Sequence, residues 1–179
     1  VDRHSRIGLV DGSITAMIRH ERMTPGGLRR LTAAEAGLAR EMFGERLDPV
    51  RVRLFALPVW SRAFVAGARL MVWPARGALC DFAAPDVPLD LQAVFVHELT
   101  HVWQAQSGVN LLTAKLRAGD GPAAYAYDLG RGPAFMGLNI EQQAMLVQHA
   151  FMASRGGSAP YPHETYRAMA SAWRGSASA

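Results

Sequence analysis

Cysteine is almost missing from this chain: Cys80 stands alone among 179 residues. That excludes an intrachain disulfide and any zinc cluster built on several thiolates. Lys115 is likewise the only lysine, so the formal net charge of +4 comes almost wholly from arginine. The arginines are scattered, with no aromatic-interleaved basic ribbon and no recognition-helix pattern. Such a charge reads as a basic surface, and no nucleic-acid partner is expected. No stretch approaches the roughly 20 apolar residues of a membrane span, so no membrane partner is expected either. Val1-Asp2-Arg3-His4 is not followed by an apolar segment, and no signal peptide is visible. The expected location is the cytoplasm, or outside it by a route that uses no such signal. There is no internal repeat.

What is present suits one folded domain. Half the residues are apolar and 19% are charged, a globular balance. We read residues 1–179 as a single domain, with 1–30 as an N-terminal extension and 175–179 as a frayed tail. Ile7 to Val10 suggests a short strand and Asp11-Gly12-Ser13 a turn. Thr32, three residues before Glu35, has capping-box spacing and predicts a helix over 32–43 that ends at Gly44. Val50, Val52, Leu54 and Ala56 alternate with polar or outward positions, as in a half-buried strand. Phe64–Ala66 and Leu70–Trp73 predict a hairpin about Gly67, and Ala78–Phe82 a short edge strand. The connections are too short for crossover helices, which predicts a mainly antiparallel sheet. A strong helix follows Pro88, with Asp90 in its first turn, Leu91, Val94, Phe95, Leu99, Val102 and Trp103 on its apolar face, and Gly108 at its close. Further helices are expected at 111–116, 139–152 and 161–173. Between them, 117–137 holds five glycines and two prolines, with Ala123–Leu129 its one ordered piece.

Chemistry enters with His97-Glu98-Leu99-Thr100-His101. Residues four apart share one face of a helix, so both imidazoles can address one ion. Glu98, one residue round, can take a proton from a zinc-bound water as that water attacks a carbonyl. The competing reading is a pair of helix-face histidines beside a solvated glutamate. The apolar positions around the motif favour a metal site.

Two histidines leave a ligand to be found, and Asp128, Glu141, His149, His163 and Glu164 are the downstream candidates. Glu141 is the best placed, near the start of the next strong helix, where Asn139-Ile140-Glu141-Gln142-Gln143 sets polar residues into an apolar pattern. Its alternative role is a first-turn carboxylate favoured by the helix dipole. A donor to the reaction's oxyanion is also needed. Tyr125, Tyr127, His149, His163 and Tyr166 are available, and Tyr127 is our expected catalytic or substrate-contact residue. Asp128, Gln104 and Asn139 are candidates to orient a ligand imidazole. Cys80, in an apolar stretch without a base, reads as a small packed residue.

The chain resembles the gluzincin branch of the zincins, which carries H-E-x-x-H on one helix and a glutamate ligand on a later one. More narrowly it resembles bacterial DUF4157 domains, a group that includes Vgr-related proteins of contractile injection and toxin systems. The similar segments are 31–35, 39–44, 48–53 and Val96-His97-Glu98-Leu99-Thr100-His101-Val102-Trp103-Gln104. The resemblance implies an α+β zincin-like fold, with a small sheet against the H-E-x-x-H helix and more helices after it. It also implies zinc on His97, His101 and Glu141, and Glu98 as general base. The expected function is a zinc metallopeptidase acting on a peptide or protein. The alternative is a catalytically inactive accessory or scaffold domain of a bacterial secretion or contractile injection system.

Overall fold

The computed structural model describes residues 20–132 and 134–175. The strand and turn expected within 7–13, and most of the expected tail, lie outside the described residues. In chain order come β1 (Leu28–Arg30), α1 (Ala33–Phe43), β2 (Arg53–Leu57), β3 (Phe64–Ala66), β4 (Leu70–Pro74) and α2 (Leu89–Gln106). Then follow α3 (Leu111–Ala118), α4 (Pro122–Tyr125), α5 (Ile140–Ser154), α6 (His163–Met169) and α7 (Ser171–Arg174).

α1 starts as its spacing predicts. Thr32 Oγ1 accepts from the Glu35 amide at 3.0 Å, and Glu35 Oε2 accepts from the Thr32 amide at 2.9 Å. The same buried carboxylate takes two hydrogen bonds from Arg29, at 2.6 and 2.7 Å, and one from the Phe82 amide at 2.8 Å. One side chain thus ties β1, α1 and the 79–82 segment together. At the other end of α1, Gly44 has φ of 58°, and a Cβ there would stand 2.8 Å from the Arg174 carbonyl oxygen. Glycine is needed for the backbone of α1 and α7 to meet so closely.

The four strands form one mixed sheet in the order β1-β2-β4-β3. Both outer pairings are antiparallel, but the central one, β2 with β4, is parallel. The expectation of a mainly antiparallel sheet fails at its centre because the crossover needs no helix. β3 itself makes the crossover, lying on the outside while the chain turns at Gly67 and inserts β4 beside β2. Val50, expected to point inward on a strand, is exposed instead. Pro49–Arg51 form a 3-10 turn in which Asp48 accepts the Val50 amide at 3.0 Å. Residues 78–82 are not a strand: Leu79 makes an isolated bridge with Arg22, and the Phe82 amide goes to Glu35.

Trp73, Phe82 and Phe95 join the sheet to α2, with ring centroids 4.2 Å apart for the first pair and 5.0 Å for the second. α2 in turn packs along α5, and residues Phe95–Gln104 of α2 are buried throughout. Val94 departs from its predicted core place and is partly exposed. The single helix expected over 161–173 divides at Ala170 into α6 and α7, and Trp173 is buried. Within 119–137 the chain forms α4 and two 3-10 turns, and Phe135 packs between Trp103 and Trp173.

Candidate metal centre

α2 presents His97 and His101 one turn apart, and α5 brings Glu141 up to both. Glu141 Oε2 lies 3.4 Å from His97 Nε2 and 3.5 Å from His101 Nε2. One ligand atom from each of the three residues lies within 4.8 Å of the others, and all three residues are buried. Asn139 caps α5 by accepting the Glu141 and Gln142 amides, both at 2.9 Å, which fixes the turn that carries Glu141.

The outward nitrogens of the histidines are held as well. His97 Nδ1 is 3.1 Å from Gln148 Oε1, and His101 Nδ1 is 2.8 Å from Gln104 Oε1. A carboxamide oxygen can only accept, so each Nδ1 carries a proton and each Nε2 is turned toward Glu141, where it donates when protonated and offers its lone pair to an ion when neutral. Gln104 is fixed in turn by donating to the Ile140 carbonyl and to Gln143 Oε1, each at 2.9 Å. Of the residues expected to orient an imidazole, Gln104 does so. Asp128 instead accepts from the Gly130 amide and the Tyr161 hydroxyl. Gln148 was missed, and its signal was its place two turns beyond Glu141 on the same helix face.

The electrostatics favour a cation between these groups. Burial works against a charge on His101, yet the hydrogen bond to Glu141 and the charges of Glu98 and Glu141 raise its pKa. A site that draws a proton onto a buried imidazole offers the same attraction to a metal ion. Burial would raise Glu141, but hydrogen bonds from His101 and His97, together with Lys115, hold it far below the usual carboxylate range. Glu98 behaves in the opposite way: desolvation raises its pKa against the pull of both histidines. Its Oε2 is buried and has no hydrogen-bond partner. The donor set fits a divalent ion. His149, His163, Asp128 and Glu164 are not part of the group.

The centre forms one wall of a cavity of about 1000 Å³. Val94, His97, Glu98 and His101 line it from α2, Phe64, Val65 and Ala66 from β3, Lys115 from α3 and Tyr125 from α4. Lys115 Nζ donates to Glu141 Oε1 at 2.7 Å and to the Tyr125 hydroxyl at 2.9 Å. Tyr127, expected on the substrate side, is not on this wall. Its hydroxyl is bonded to His149 Nδ1 at 2.7 Å and to the Tyr166 hydroxyl at 2.9 Å. The tyrosine that reaches the cavity is Tyr125, whose ring lies 6.5 Å from that of His97.

No protein-family model matches the chain. The chain is 33% identical over 137 residues to the type VI secretion system spike protein VgrG2b of Pseudomonas aeruginosa. That stretch covers 69% of this chain and 13% of the spike protein, so the chain spans only a small fraction of that relative's length. Among solved structures, the effector domain of Pseudomonas aeruginosa VgrG2b matches with a TM-score of 0.61 and 28% sequence identity. The match takes in 82% of this chain and 83% of that domain. The similarity to Vgr-related proteins read from the sequence is therefore supported, whereas the DUF4157 grouping rests on the segments quoted above.

Proposed function

We propose that this chain serves a type VI secretion system as an effector-type domain of zincin character, whose chemistry is zinc-dependent peptide hydrolysis. Two kinds of support meet here. The secretion-system association rests on the similarity to VgrG2b and its effector domain. The chemistry rests on one observation above all: the buried Glu98 Oε2 has no partner, and it stands beside a converged His-His-Glu set on the wall of a substrate-sized cavity.

His97, His101 and Glu141 would hold the ion. When bound, zinc supplies Lewis acidity toward water and toward a carbonyl oxygen. Glu98, with its pKa raised by burial, accepts the proton of the attacking water and passes it to the departing amide nitrogen. The sheet supports a peptide as substrate. β3 is an outer strand beside the cavity, and its free edge can pair with an extended chain and lay a peptide bond across the centre.

A Glu98→Gln variant and the wild type, both loaded with zinc, test this reading on a fluorogenic peptide library. The expected result is one zinc per chain in both and hydrolysis by the wild type alone. Equal hydrolysis by both would remove Glu98 as the base. A wild type that holds no zinc would remove the metal site.

A second reading keeps the secretion-system association without catalysis, as an accessory or scaffold domain. It is favoured by the likeness to a spike protein and by the Lys115 ammonium already seated on Glu141. Stoichiometric zinc with no cleavage of the library by the wild type would select it.

A further inference from the structure

Two cationic donors meet on the hydroxyl of Tyr125. Lys115 Nζ donates to it at 2.9 Å, and Arg62, from the loop before β3, donates at 3.1 Å. A phenol oxygen has two acceptor positions and one O–H. Ammonium and guanidinium groups cannot accept, so with both acceptor positions filled the O–H must be aimed elsewhere. Among the described residues, no acceptor takes it. The ring stands over His97 with 28° between the planes, on the cavity wall. A free donor is therefore held beside the metal centre. Lys115 is itself fixed, since it also bonds Glu141 at 2.7 Å and pairs with Asp120 at 3.2 Å.

We infer that Tyr125 is a catalytic residue of the hydrolysis proposed above, on which this inference rests. As the water oxygen bonds to the scissile carbonyl carbon, the π pair moves onto the carbonyl oxygen. Tyr125 donates a hydrogen bond to that oxygen and keeps its proton throughout. Lys115 and Arg62 are positioning residues that aim the hydroxyl. Such a donor acts on the transition state more than on the bound substrate, because the oxygen's charge develops only as the carbonyl is attacked.

Two probes of zinc-loaded protein separate this role from a structural one. A phosphinic peptide with phenylalanine on each side places a charged tetrahedral oxygen where the carbonyl oxygen would be. A mercaptoacyl peptide with the same side chains reaches the metal through sulfur and has no such oxygen. By calorimetry, Tyr125→Phe should weaken the phosphinic peptide about 100-fold, with zinc content and mercaptoacyl affinity unchanged. On any library peptide that is cleaved, kcat should fall by a similar factor with KM unchanged. Lys115→Met and Arg62→Met should each weaken the phosphinic peptide less, by about tenfold, and Lys115→Arg should recover some of the loss. Equal losses for both probes, or none for the phosphinic peptide, would overturn the inference while leaving the hydrolase standing. A wild type that binds zinc but neither probe would overturn the hydrolytic reading and the inference with it.

Discussion

Each ring nitrogen of His97 and His101 has a designated partner, and the two carboxamides belong to the centre as much as the carboxylate does. Gln148→Leu or Gln104→Leu frees an imidazole to rotate and leaves its Nδ1–H unsatisfied. Either change should lower zinc affinity about 10- to 100-fold, read by competition with a chromophoric chelator. Gln104 should matter more, because its amide also holds Ile140 and Gln143. A second residue-scale prediction concerns acid. Desolvation, then repulsion from His97, lowers the pKa of His149 below its ordinary 6.5. The folded state therefore binds that proton less well than the unfolded chain does. The stability tied to neutral His149 is complete above the unfolded value and is lost as pH falls through the folded one. His149→Asn keeps an acceptor for Tyr127 and should flatten the fall in melting temperature below neutral pH. Parallel curves for variant and wild type would remove His149 as the cause.

At the scale of elements, Glu35 does the most joining. Its removal takes the carboxylate from a largely buried Arg29, which keeps only backbone carbonyls, and leaves the buried Phe82 amide without a partner. Glu35→Ala should cost about 3–5 kcal/mol in urea unfolding, whereas a loss below about 1 kcal/mol would make the tie between β1, α1 and 79–82 incidental. Much of this architecture was legible in the sequence. Thr32 and Glu35 announced α1, Gly67 the hairpin, and His97–His101 the face of α2 that meets the cavity. What stayed hidden depends on contacts distant in sequence. The parallel pairing of β2 with β4 follows from where β3 is placed, which no local period encodes. β1 lay within the supposed extension because three residues carry no readable alternation. Val94 has an apolar side chain but lies on the helix face of Glu98 and His101, so it follows the site and not the core. Tyr125 and Tyr127 stand two apart, which in an extended piece would put them on one face; they part because Tyr125 ends α4 and Tyr127 lies beyond it, a boundary that the local pattern does not show.

Across the whole molecule, the centre joins α2 to α5, the two helices around which the core is built. An ion held there bridges both helices and adds to global stability by mass action. Free zinc at about 100 times its dissociation constant should contribute about 2.7 kcal/mol, or roughly 5–10 °C in melting temperature for a domain of this size. Chelator should reverse the shift. Glu98→Gln should keep it, while His97→Ala and His101→Ala should lose it. A shift that survived both histidine changes would place the stabilising ion elsewhere.

The solitary lysine has a practical side. The chain's single side-chain amine is spent inside the site, on Glu141, Tyr125 and Asp120. Reagents that couple to amines find no side-chain handle on the arginine-covered exterior. They can mark Lys115 only by pulling it off its three partners. Acylation of that position therefore becomes a gauge of how firmly the centre is closed, and tethering the protein to a support through its lysine would dismantle the centre itself.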